Sequence, residues 1–154
     1  MTGTRRSLPR CGFAIAGLWL LLSSETGLAG SVDVSDAWTR ATMPGQAVAG
    51  VYLHVKSTLK ARLVGVKSSS AKTAEIHSMS HEGGVMKMRK LDFLDLPAGE
   101  TVALEPGGDH VMLFDIRQPL KAGEHIKLML VVEQGGKRIN VPVDAEVRAL
   151  TDQH

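Results

Sequence analysis

His77, Met79, His81, Met86, Met88, His110 and Met112 all fall within 36 residues of a 154-residue chain that holds only six His and seven Met. Imidazole and thioether together form a soft, neutral donor set that suits Cu(I); Mg and Ca take oxygen ligands, and zinc seldom takes a thioether. Successive side chains of a strand point to opposite faces, so His77 with Met79, Met86 with Met88, and His110 with Met112, each at spacing two, project to a common side. Three strand ends converging in this way would make one pocket, and copper is the metal its chemistry names first. Taken singly, each residue has a plainer reading. Met at alternate strand positions is commonly flexible core packing, and a lone His is commonly hydrogen-bonded or at the surface. The joint arrangement carries the metal reading, not any one member. His54 and His125 have no soft partner nearby in sequence and read as structural or solvent-facing; His154 is the terminal residue.

The elements that must position these side chains read as short strands. Runs rich in β-branched residues span Val32 to Thr39, Val48 to Lys56, Arg62 to Lys67, Ala74 to Met79, Val85 to Leu91, Thr101 to Leu104, His110 to Ile116, Ile126 to Val132, and Lys137 to Val143. Between them lie turn signals such as Glu82-Gly83-Gly84, Pro97-Ala98-Gly99, Pro106-Gly107-Gly108 and Gly135-Gly136. No stretch has a helical period except a short turn expected near Asp144 to Leu150. Many short strands at this spacing predict an all-β fold, an antiparallel sandwich or small barrel in one domain. Trp38 is expected in its core.

The first 29 residues read as a secretory signal peptide: Arg5, Arg6 and Arg10 precede an apolar run from Cys11 to Leu22, and a small-residue site lies around Gly27-Leu28-Ala29. The expected mature domain is therefore 30–154. Without the signal's three Arg and one Glu, 15 basic and 15 acidic residues remain, so the mature chain is formally neutral and the pI near 8.8 owes much to the leader. A neutral chain without a basic cluster offers little to nucleic acid or an anionic membrane, both of which need concentrated Lys and Arg. The twelve-residue apolar run is short for a span of hydrocarbon, which takes about 20 residues. Cys11 is the only cysteine and leaves with the leader. Thiol exchange, a blue-copper His/Cys site, Cys-ligated zinc and a Cys nucleophile all leave with it. Thioethers suit an oxidising compartment, because Met cannot form a disulfide, although it still oxidises to the sulfoxide. No nucleophile–base pair or telling pair of carboxylates points to an enzyme.

The cluster resembles the PCu(A)C family of periplasmic copper chaperones, whose pattern is His or Met, ten residues, Met, twenty-one residues, His, one residue, Met. His77, Met88, His110 and Met112 match every position, and a chance match is on the order of one in a thousand. Asp36-Ala37-Trp38-Thr39-Arg40-Ala41, Gly84-Val85-Met86-Lys87-Met88-Arg89, Pro106-Gly107-Gly108 and Gln118-Pro119-Leu120-Lys121-Ala122-Gly123 also resemble family segments. Ser57-Thr58-Leu59-Lys60-Ala61 departs from the pattern by lacking Asn and Gly, and the tail after Val143 lacks a His/Met-rich extension.

The resemblance implies a cupredoxin-like β-barrel holding one Cu(I) through His77, Met88, His110 and Met112, with Cu(II) left open. It also implies a periplasmic location and delivery to the dinuclear copper centre of a respiratory oxidase subunit, alongside a Sco-type thioredoxin-like partner. Met79, His81 and Met86 are expected as auxiliary or transfer residues, and Met86, sharing a face with Met88, as the substitute ligand. Asp109 and Glu82 flank the cluster, where they either orient an imidazole or are simply solvated. Copper storage or detoxification, and a metal-free β-sandwich interaction module, are the competing readings.

Overall fold

Alternation of β-branched runs with glycine and proline turns produces ten strands: β1 (Val32–Arg40), β2 (Val48–Ser57), β3 (Ala61–Ser68), β4 (Ala71–Glu82), β5 (Val85–Leu91), β6 (Leu94–Leu96), β7 (Thr101–Leu104), β8 (His110–Ile116), β9 (His125–Gln134) and β10 (Lys137–Arg148). The computed structural model describes residues 30–151, so the expected signal peptide, Cys11 and His154 lie outside the described residues. The strands hydrogen-bond in the order β5-β4-β8-β2-β1-β10-β9-β3-β6, with β7 also pairing β2. β8 and β7 share one edge of β2, β8 along Val48 to Val51 and β7 along Leu53 to Lys56.

The inner faces of β2, β4 and β8 meet those of β3, β9 and β10 in one apolar cluster. Burial alternates along β2 as the pleat requires, with Val51, Leu53 and Val55 inside. Leu63, Leu113, Leu130 and Val132 are fully buried opposite or beside them, and each such side chain contributes about 1.5–3 kcal/mol by leaving water. β1 pairs with β2 alone over Val32 to Ser35, with both β2 and β10 at Trp38 and Thr39, and with β10 at Arg40. The change occurs at a bulge between Ser35 and Trp38, where Asp36 takes a φ of 47°. Asp tolerates this left-handed conformation better than most residues, and the bend lets one strand serve both halves of the fold.

Three expectations need correction. The pairing is not wholly antiparallel, because β1 and β10 run parallel. No turn of helix forms near Asp144 to Leu150: β10 continues to Arg148, with Ala145 and Val147 buried and Asp144 and Glu146 exposed. The period-two alternation of this segment, joined to an open partner on β1, outweighs its helix-favouring Ala and Glu. Leu94–Leu96, too short to stand out in the sequence, adds a strand on the edge of β3.

Two hairpins depend on their glycine pairs. Gly83 and Gly84 have φ of 59° and 80°, and Gly135 and Gly136 of 57° and 76°. Two consecutive positive φ values make the mirror-image two-residue turn whose twist suits a hairpin, and only glycine adopts both without strain. The Ser57-to-Ala61 connection, which lacks such residues, is held by the buried Ser57 hydroxyl: it donates to the Leu59 carbonyl and accepts from the Gln134 side-chain amide.

Candidate metal centre

β4 has two unlike halves. Between Ala71 and Ile76 the strand contributes Ala71 and Ile76 to the core, whereas beyond Ile76 no residue of β4 enters it, and β4 and β5 continue as a hairpin with both faces wholly or partly open to solvent. Because β4 runs to Glu82 rather than stopping near Met79, His81 becomes part of the ladder. The cross-strand register sets out the donors. His77 lies opposite His110, Met79 opposite Met88, and His81 opposite Met86, while Met112 lies opposite Glu75. Residues directly opposite in an antiparallel pair share a face, so all these side chains stand on the outer face of β5-β4-β8. Met88 and Met112 flank His77 diagonally on opposite sides of the histidine rung. Met79 is equally near it, being next to His77 on β4 and opposite Met88.

The two imidazoles are oriented through one nitrogen each. His110 Nδ1 donates to the Gly108 carbonyl at 2.9 Å; a carbonyl only accepts, so Nε2 is left with the lone pair. His77 Nε2 donates to the Glu75 carboxylate at 3.0 Å. His77 Nδ1 is buried and has no hydrogen-bond partner. Such an orphaned buried group costs about 1–3 kcal/mol, and a metal bond would remove that penalty. The ring centroids are 6.1 Å apart. With metal–nitrogen bonds of about 2.0 Å, a single ion between the two free nitrogens would be within bonding reach of both rings at this separation. Among the described residues no three of His, Cys, Asp or Glu gather as a metal site; the further soft donors on this face are the thioethers of Met79, Met88 and Met112. The residues present fit a soft monocation.

Glu75 is the residue the sequence reading missed. It accepts from His77 and, through its other oxygen, from Lys90 at 2.7 Å. These two hydrogen bonds, the one from His77 first, hold its carboxyl below the ordinary value. A carboxylate behind a ligating imidazole fixes the ring and raises its basicity. Spacing two from His77 on one strand was its available signal. Glu82, considered for that role, instead accepts from Lys87 at 2.8 Å and Arg89 at 3.4 Å on the hairpin's other face. Asp109 is half-buried beside His110.

Exposure separates the donors. His110 is 3% exposed, the His77 side chain 12%, Met112 is part-buried, and Met88 and Met86 are 46% and 53% exposed. Core packing does not explain these last two. His110 owes its cover partly to Tyr52, whose ring centroid lies 6.2 Å away. The phenol lies across Gly50, the residue opposite Met112; a Cβ at Gly50 would meet its hydroxyl oxygen at 2.7 Å. Burial also pushes the Tyr52 hydroxyl pKa up. Trp38 is not in the core, contrary to expectation. It stacks on Tyr52 at 4.7 Å on the outer face, between Arg40 and Arg148, and lines a groove of about 850 Å³ that the His/Met cluster does not enter. Its neighbour Thr39 takes the inward position. His54 and His125 pair with Glu105 and Asp144 away from the cluster.

Comparison with known proteins agrees with this geometry. The family described as "LpqE-like: Putative lipoprotein LpqE-like" matches residues 32–145. Putative lipoprotein Lxx21020 of Leifsonia xyli subsp. xyli is 34% identical over 75% of this chain and 70% of its own length. An uncharacterized Rickettsia prowazekii protein, RP573, is 33% identical over 53% of this chain, which spans 46% of that relative. Among solved structures, the apo PCuAC domain of PmoF2 is similar with a TM-score of 0.64 and 30% identity over 80% of this chain and 94% of that one. The copper-bound form of the same domain gives 0.61 and 30% over 77% and 92%. The Cu(I) form of DR1885 from Deinococcus radiodurans gives 0.59 and 30% over 75% and 77%. The fold is cupredoxin-like, its structural neighbours are copper-binding PCuAC domains, and the chain belongs to the LpqE-like, PCuAC-type family.

Proposed function

We propose that this protein is a non-catalytic copper carrier of the cell envelope, holding one Cu(I) through His77, Met88, His110 and Met112. The observation that carries the reading is the histidine pair. Two imidazoles face each other across β4 and β8, each is oriented through one nitrogen, and His77 Nδ1 is buried without a partner. Two thioethers on the same face bias such a site toward the cuprous state. The copper-bound PCuAC domain of PmoF2 and the Cu(I) form of DR1885 support the choice of metal, and the lipoprotein relatives support an envelope location. We place the protein in the periplasm after removal of the leader.

The work of such a site is exchange. Cu(I) must be held against loss, yet lie near enough to the surface for an acceptor to replace its ligands one at a time. The graded exposure from His110 to Met88 suits that task. The proposed acceptor is the dinuclear copper centre of a respiratory oxidase subunit, with a Sco-type thioredoxin-like protein as accompanying partner. An anaerobic Cu(I) titration against a chromophoric chelator tests the reading. One tightly bound equivalent is expected, weakened in both His110→Ala and Met112→Leu. Weak binding that neither substitution changes would overturn it. Tight retention with no transfer to an oxidase fragment would favour storage.

A further inference from the structure

The hairpin beyond Ile76 carries more soft donors than one ion needs, and they are arranged in order. Above the His77–His110 rung stands Met79–Met88, and above that His81–Met86, all on one face. Val85, Met86 and Met88 at its end are 58%, 53% and 46% exposed. A thioether left in water gains nothing from burial and is open to oxidation, so packing does not account for Met86. The charges of the hairpin are sorted as well. Lys87 and Arg89 project to the opposite face, where both pair with Glu82. Lys90, which does share the donor face, is tied to Glu75. Among the described residues of the hairpin, therefore, each cation is paired with a carboxylate and none stands free beside the His81–Met86 rung to repel a metal cation.

We infer that His81 and Met86, backed by Met79 and Met88, form a second and weaker Cu(I) site at the hairpin tip, through which copper passes between the inner site and its donor or acceptor. The inference rests on the copper reading above and extends it. Each step is ligand exchange: a bond from copper to an inner donor breaks as one to an outer thioether or imidazole forms. Copper stays Cu(I) throughout, and no electron or proton is consumed. Met88 belongs to both coordination spheres and Met79 lies opposite it, which lets copper advance one rung without being released to water. The tight turn at Gly83–Gly84 keeps the two tip residues in register.

The test is an anaerobic Cu(I) titration of the protein labelled with ε-¹³C-methyl methionine, together with the rate at which a small chromophoric chelator removes the first equivalent. The first equivalent should move the Met88 and Met112 methyl signals, and a second, weaker one those of Met86 and Met79. In His81→Ala/Met86→Leu the second equivalent should weaken and removal of the first should slow, each by about tenfold, with the first equivalent's affinity unchanged. Both substitutions are at exposed positions, so folding is retained. A second equivalent of undiminished strength in the double variant, or a Met86 methyl that stays still at every copper loading, would overturn the inference. So would slowed transfer to a protein acceptor with unchanged removal by the chelator, because the hairpin tip would then be a docking surface and not a metal site. If the first equivalent moves Met86 and spares Met112, the four-residue inner site fails while the outer rung stands.

Discussion

The two halves of β4 obey different rules. From Ala71 to Ile76 the strand is part of a packed sandwich, and its inward residues sit among Val111, Leu113 and Leu130. From His77 to Glu82 it has no core beneath it, and its residues pair across the hairpin and stand partly or wholly open to solvent. The outer face of β8 shows the same contrast across its thickness: Val111 and Leu113 fill the interior while His110 and Met112 stand on the other side. The His/Met cluster thus sits on the core without belonging to it. A rigid sheet holds the histidines, and a protruding hairpin holds the exposed methionines.

This comparison predicts that stability and metal binding can be broken separately. The largest effect should come from Leu113→Ala, fully buried behind the histidine rung. It should cost about 2–5 kcal/mol in denaturant unfolding, while copper stoichiometry stays at wild-type level wherever the variant remains folded. A parallel loss of copper binding in the folded variant would show that the two faces are not independent. Next, Glu75→Gln keeps a hydrogen-bond acceptor beside His77 but removes the charge. Cu(I) affinity in chelator competition should fall about tenfold, with the unfolding midpoint little changed.

Gly50→Ala probes the boundary between the faces. Its Cβ would strike the Tyr52 hydroxyl oxygen, so the phenol must swing off His110, and chelator removal of copper should quicken by less than about tenfold. An unaltered rate would mean that Tyr52 does not shield the site. The smallest effect lies far from the cluster. Hydrogen bonds from Lys127 and then His125 hold the Asp144 carboxyl below its ordinary 3.8. A lowered folded-state value means this contribution is present above pH 3.8 and is lost as pH falls through the lowered value. Asp144→Asn should therefore reduce the unfolding midpoint slightly at pH 7, and the difference from wild type should vanish in strong acid. Copper affinity should not change, which separates it from Glu75.

Much of the fold was legible along the chain. β7 and β8 begin and end close to glycine or proline, β5 begins directly after Gly84, and Gly83–Gly84 marks its hairpin directly. β6 and the end of β10 were not, because a three-residue edge strand and a strand that depends on a parallel partner have little local signature. The site divides in the same way. His77, Met88, His110 and Met112 stood out by type and spacing, whereas Glu75 was hidden among ordinary charges. Trp38 was misread for a related reason: an aromatic residue on a strand belongs to whichever face its register assigns, and the bulge at Asp36 resets that register.

By itself, then, the sequence determined the residue types, the period-two grouping of His with Met, and the turns that fold strands back on their neighbours. These are local matters, decided by backbone propensity and by which side chains alternate. Only the tertiary structure decided that β4 pairs with β8, 33 residues apart at the His77–His110 rung. It also decided that His77 Nδ1 is buried without a partner, and that the methionines of β5 stay in water. Those outcomes depend on non-local pairing across a common core, where one strand's register is set by the packing of all the others.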